Sequence, residues 1–196
     1  MKERILVLLV LMTSSLVIAQ NVSDNEKLWT SNEKLTMDDF ELQSIANQSS
    51  DKIYSQFAIT HSISGFDFLK RNFNQKIENK FITNASWIDT TQTVNEIESQ
   101  IEYQQLQFDM AEVQARKFRK EAFINRKSIL KGTDGIENLS NQMMNEFSRQ
   151  RLALMQETDS GRDNAKVQEW KARTAEQLQS LDQFRFENTK RIRLED

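Results

Sequence analysis

Between residues 55 and 64 the chain alternates: Phe57, Ile59, His61 and Ile63 fall on one side, and Ala58, Thr60, Ser62 and Ser64 on the other. A period of two is that of a half-buried strand. Gly65 punctuates it, Phe66, Phe68 and Phe73 follow, and residues 77–87 form a second extended candidate in which Ile77, Phe81, Ala85 and Trp87 share parity. Leu35 to Phe40 reads as a strand start ending in a turn at Asp38-Asp39. Residues 20–33 form a polar leader anchored by Trp29, and 43–52 a polar loop. From residue 91 the period changes. Val94, Ile97, Ile101, Phe108, Ala111, Ala115, Phe118 and Ala122 recur at spacings of three, four and seven, one face of a helix over about 91–126. Leu106, Met110 and Val113 lie on a different side, which predicts a helix sandwiched between layers. The basic end of that run, Arg116 to Lys120, reads as a solvated helix end whose cations suit the C-terminal dipole.

Gly132 to Gly135 interrupts the helical pattern. A second helix carries Ile136, Leu139, Met143, Phe147 and Leu154, with Met143 and Met144 as core filler. Thr158-Asp159-Ser160-Gly161 reads as a turn. A last helix presents Val167, Trp170, Thr174, Leu178, Leu181 and Phe184, and the charged residues 185–196 are expected to fray. The periodicities require Phe108 and Trp170 to be largely buried. Together they predict an α+β fold: a small N-terminal antiparallel sheet followed by about three long helices.

Composition narrows the chemistry. The chain has 196 residues with Gly 4, Pro 0, Cys 0 and His 1. One domain suits that length, and the lack of proline suits long helices. Without cysteine there is no disulfide, thiolate nucleophile or Cys-type zinc site, and one histidine excludes any site needing two imidazoles. Lys2 and Arg4 precede an apolar run from Ile5 to Met12, extended by Leu16-Val17-Ile18, with Val17 and Ala19 before a cleavage point at Gln20. Thr13-Ser14-Ser15 interrupts the run, which is shorter than the roughly 20 residues of a spanning helix, so residues 1–19 read as a signal peptide rather than an anchor. The expectation is an exported protein, periplasmic or extracellular, with no stable membrane insertion after cleavage. The single domain then spans 20–196, with a core at about 29–184. A net charge of −3 for the whole chain gives no reason to expect nucleic acid as a partner.

Three blocks, in order, carry a resemblance. The first is Trp29 with Leu35-Thr36-Met37-Asp38-Asp39-Phe40. The second is Ser86-Trp87-Ile88, then Tyr103 to Glu112 (YQQLQFDMAE) and Ala115 to Lys120 (ARKFRK). The third is Glu157-Thr158-Asp159-Ser160-Gly161 with Gln168 and Trp170. Together they resemble the bacterial exported domain-of-unknown-function family 922, predicted zinc-dependent proteases, over about residues 29–182. The resemblance implies a zincin-like arrangement. In that family the helix begins H-E-x-x-H-F-D, with two histidines one turn apart on the metal and a glutamate that activates water. The two histidine positions fall on Tyr103 and Gln107, the glutamate position on Gln104, and a further histidine, a third ligand, on Ser160. Phe108, Asp109, Glu112, Gly161 and Trp170 keep the family pattern. Asp109 and Glu112 are implied to orient ligands or serve as structural hydrogen-bonding groups.

A phenol with a pKa near 10 is a weak zinc ligand, and a neutral carboxamide accepts no proton from water. The resemblance therefore implies a degenerate member without metal or cofactor, its function binding or scaffolding of a protein or peptide through the former active-site cleft lined by Tyr103, Gln104, Gln107 and Ser160. One rival is an active hydrolase that joins His61 with Asp109 or Glu112. Another is a helical envelope protein held by packing alone, which a filled cleft would favour.

Overall fold

A computed structural model describes residues 25–44, 52–132 and 134–193. The signal peptide assigned to 1–19 and most of the loop assigned to 43–52 lie outside the described residues. The fold is α+β, with small sheets built from the N-terminal part and three long helices after them. Strands β1 (Glu26–Leu28), β2 (Glu41–Gln43), β3 (Ile53–Tyr54), β4 (Phe57–His61), β5 (Ile77–Ile82) and β6 (Trp87–Asp89) precede helices α1 (Val94–Ile124), α2 (Arg126–Ile129), α3 (Asp134–Glu157) and α4 (Asn164–Ser180).

The strands form two sheets where the sequence predicts one. The first, in the order β1-β5-β4, is antiparallel, with Phe57 opposite Phe81 and His61 opposite Ile77. The second, β2-β6-β3, is mixed, because β2 runs parallel to β6. The predicted strand 77–87 splits between them. A turn of 3-10 helix at Thr83–Ala85, closed by Ser86 N on Thr83 O at 3.1 Å and Ser86 Oγ on Ile82 O at 2.7 Å, redirects the chain. The leader contributes β1, which adds an edge to β5, and Trp29 is buried.

Thr93 and Glu96 start α1 as a reciprocal capping box: Thr93 N donates to Glu96 Oε2 at 2.9 Å and Glu96 N to Thr93 Oγ1 at 3.4 Å. At 31 residues α1 is about 46 Å long. It packs against β4, β5, α3 and α4, so it is buried on several sides, as its two apolar faces predict. Fully buried Ala111, Ala115 and Ala122 allow close approach. Phe57 lies at the centre of an aromatic cluster, 5.6 Å from Phe108, 5.7 Å from Phe81 and 5.9 Å from Phe147.

Three expectations are corrected. The basic run 116–120 is not a solvated helix end: Arg116 and Arg119 are buried and α1 continues past them. Residues 185–188 do not fray. Phe184 and Phe186 are buried, and Asn74 Nδ2 donates to the carbonyls of Gln183 (3.0 Å) and Arg185 (3.1 Å). Trp170 is only partly buried, with its indole N–H on Glu157 at 2.9 Å, whereas Phe108 is buried as predicted. Among the described residues no helix is long and apolar enough to cross a membrane.

Candidate functional site

Tyr103 and Gln107 stand one turn apart on α1, and the turn after α3 comes to meet them. Tyr103 Oη lies 3.2 Å from Thr158 Oγ1. Thr158 is fully buried; its hydroxyl donates to Leu154 O at 2.6 Å and accepts Gly161 N at 3.0 Å. Asp159, Ser160 and Gly161 have φ of 49°, 57° and 91°, the left-handed conformation that ends many helices. Gly161 is required here twice over. Its φ is strained for any other residue, and an added Cβ would stand 2.9 Å from the Tyr103 ring. The third block of the resemblance is thus brought against the second. Ser160 is exposed at the rim of the turn.

The two glutamines of the resemblance point inward. Gln104 and Gln107 are both buried, and Gln104 Oε1 has no hydrogen-bond partner among the described residues. Gln107 Oε1 accepts a hydrogen bond from Arg151 Nε, contributed by α3. Arg151 also donates through Nη2 to Ser55 O at 3.1 Å, and its guanidinium lies 5.5 Å from the Phe57 ring centre. Burial lowers its pKa, opposed by Tyr54 and Tyr103, but an arginine so placed remains a cation at neutral pH. Burial likewise pushes the Tyr103 hydroxyl up, against Thr158 and Arg151, so it stays a neutral phenol. A fixed cation therefore occupies the side-chain oxygen of Gln107. Nothing in the sequence singles out Arg151, one of many charged residues on a mixed helix, because its role depends on which face of α3 turns toward α1.

This donor set does not fit zinc. It offers a phenol, two carboxamides and a hydroxyl, one carboxamide oxygen is already taken by a guanidinium, and no imidazole, thiolate or carboxylate is among them. Among the described residues no three His, Cys, Asp or Glu side chains converge.

Asp109 and Glu112 serve different neighbours. Asp109 Oδ1 accepts from Trp29 Nε1 at 2.8 Å and Gln105 Nε2 at 2.7 Å, which ties the leader to α1. Glu112 is fully buried. Its Oε1 accepts from Arg116 Nε at 3.1 Å and Arg119 Nη1 at 2.8 Å, while Arg119 also reaches Ile77 O and Phe184 O. Arg116 Nη1 donates to Leu178 O at 2.6 Å. One buried carboxylate and two arginines thus join α1 to β5, to the end of α4 and to the residues after it. His61 touches neither acid. Its Nε2 lies 3.5 Å from Glu137 Oε1 and its ring packs edge-on against Phe118 at 5.6 Å.

A separate cleft of about 420 Å³ opens between the leader, α1 and α4, lined by Trp29, Lys34, Asp109, Arg116, Lys171 and Leu178 among others. It includes none of Tyr103, Gln104, Gln107 or Ser160. Comparison with protein-family models, with curated proteins and with solved structures finds no match for this chain.

Proposed function

We propose that the protein is an exported, non-catalytic relative of the predicted zinc-dependent proteases of domain-of-unknown-function family 922, and that it acts as a binding or scaffolding protein for a protein or peptide partner. The observation that carries this reading is the Arg151–Gln107 hydrogen bond, since an arginine beside the first two ligand positions supplies the positive charge that a metal would otherwise bring. Gln104 at the glutamate position supports it, because a carboxamide cannot take a proton from water. The partner surface in this reading is the rim of the former cleft, where Ser160 and part of Tyr103 are accessible.

The chain from Gln20 onward should purify without stoichiometric zinc, melt at the same temperature with and without chelator, and leave unfolded protein substrates intact. One tightly bound zinc per chain after dialysis would overturn the reading. A second reading, an envelope protein with no cleft function, is favoured by the burial of Gln104 and Gln107. A photocrosslinker at position 160 separates the two. The binding reading expects one discrete crosslinked partner, and the packing reading expects none.

A further inference from the structure

Two segments meet at one end of α1: residues 62–73, after β4, and residues 123–132, from the last turn of α1 toward α3. A Cβ at Gly65 would stand 3.2 Å from Leu130 Cδ2, and the Phe73 and Phe123 rings are 5.8 Å apart. The first segment is a built loop. The buried Asp67 carboxylate accepts Ser64 N at 2.8 Å, Ser64 Oγ at 2.7 Å and Lys70 Nζ at 2.8 Å, and Phe68 is buried with its ring 5.0 Å from Phe73. With Asp67 and Phe68 held inward, their neighbours stand in solvent: Phe66 is 79% exposed and Leu69 84%. On the second segment Leu130 is 53% exposed and Ile124 42%. Large apolar side chains gathered at one tip mark an interaction surface.

The charge within these two segments is one-sided. These two segments hold five cations, Lys70, Arg71, Arg126, Lys127 and Lys131, and one carboxylate, Asp67, which is buried and paired with Lys70. Lys70, Arg71, Lys127 and Lys131 are exposed. The whole chain is negative, at −3, so the tip opposes the molecule's overall sign.

We propose that this tip docks on the surface of an anionic lipid bilayer. Phe66, Leu69 and Leu130 enter the boundary between headgroups and acyl chains, and Arg71, Lys127 and Lys131 meet the headgroup phosphates. A bilayer is favoured over a protein groove because the apolar groups project from turns and share their segments with exposed cations and no exposed carboxylate. The inference stands apart from the reading of the Tyr103 site.

The test is co-sedimentation of the chain from Gln20, which contains every described element, with vesicles of equal parts phosphatidylglycerol and phosphatidylcholine. Binding should be at least tenfold stronger than to phosphatidylcholine alone and should weaken with added salt. Phe66→Ser with Leu69→Ser, and separately Lys127→Glu with Lys131→Glu, should each lower affinity at least tenfold without changing the melting temperature. Should the loop pair fail to fold, Leu130→Ser reads the same surface from the other segment. No binding to the anionic vesicles, or binding unaffected by any of these changes, overturns the proposal. So does tip-dependent dimerisation of the native protein without vesicle binding, which would assign the surface to a second copy of the chain.

Discussion

Asp67 shows how one side chain sets a local geometry. Burial opposes its ionisation, yet the hydrogen bonds from Lys70 and Ser64 overcome that and hold its carboxyl at about 2. A carboxylate whose folded pKa lies below its unfolded value near 3.9 stabilises the fold above that value, and the contribution fades as pH falls through the folded pKa. Asp67→Asn should therefore lower the urea midpoint by a constant amount from pH 7 down to about 5. The gap from the native protein should close between about pH 4 and 2. A gap that stays the same across that window would mean that ionised Asp67 does not hold the loop. The sequence marks Phe66 and Phe68 as neighbours of a strand end. The burial of Asp67, which turns one inward and the other outward, depends on Lys70 and Ser64 folding back over it.

At the scale of elements, α1 and α4 illustrate opposite outcomes of the same periodicity. Phe108 lies on a helix surrounded by strands and helices, whereas Trp170 lies on one covered on fewer sides, its ring stacked at 4.1 Å under the Arg173 guanidinium. Phe108→Ala should cost about 3–5 kcal/mol in chemical denaturation, the range for a buried aromatic. Trp170→Ala should cost less, about 1–2 kcal/mol, since its ring is only partly buried. Equal losses would mean that α4 is as deeply packed as α1. An apolar position every three or four residues identifies the inward stripe of a helix, but how much lies over that stripe is decided by other elements. The same holds for Arg116 and Arg119. Basic residues read as solvent-facing until a buried carboxylate, Glu112, and the carbonyls of Ile77, Leu178 and Phe184 supply their partners.

At the scale of the whole molecule, the Tyr103 site draws on three separate stretches: α1, the end of α3 with its turn, and the segment at Ser55. If positions 103, 107 and 160 surround a former metal site, Tyr103→His, Gln107→His and Ser160→His together should create zinc binding, but weakly while Arg151 remains. Adding Arg151→Ala removes a cation bonded to position 107 and should raise zinc affinity at least tenfold in isothermal titration, with a matching rise in melting temperature in the presence of zinc. Zinc affinity that ignores Arg151 would show that the guanidinium does not stand in the metal's place. Position 160 already sits at φ 57°, so the substitution there adds no new backbone demand.

Local pattern alone determined the strand at Phe57–His61, the three long helices, the break near Gly132 and the turn at 158–161, because period and glycine act within a few neighbours. It also determined that zinc-type donors are missing at 103, 104, 107 and 160, which is a matter of identity rather than position. The tertiary structure decided the rest: the split of 77–87 between two sheets, the burial of Arg116 and Arg119, the ordering of 185–188, the insertion of Arg151 beside Gln107 and the exposed tip of Phe66, Leu69 and Leu130. The buried charges and the joined segments depend on partners distant in the chain, and the exposed tip on the lack of any element over it, since a charge is buried only where an opposite charge or a carbonyl awaits it, and a side chain is exposed only where no other element covers it.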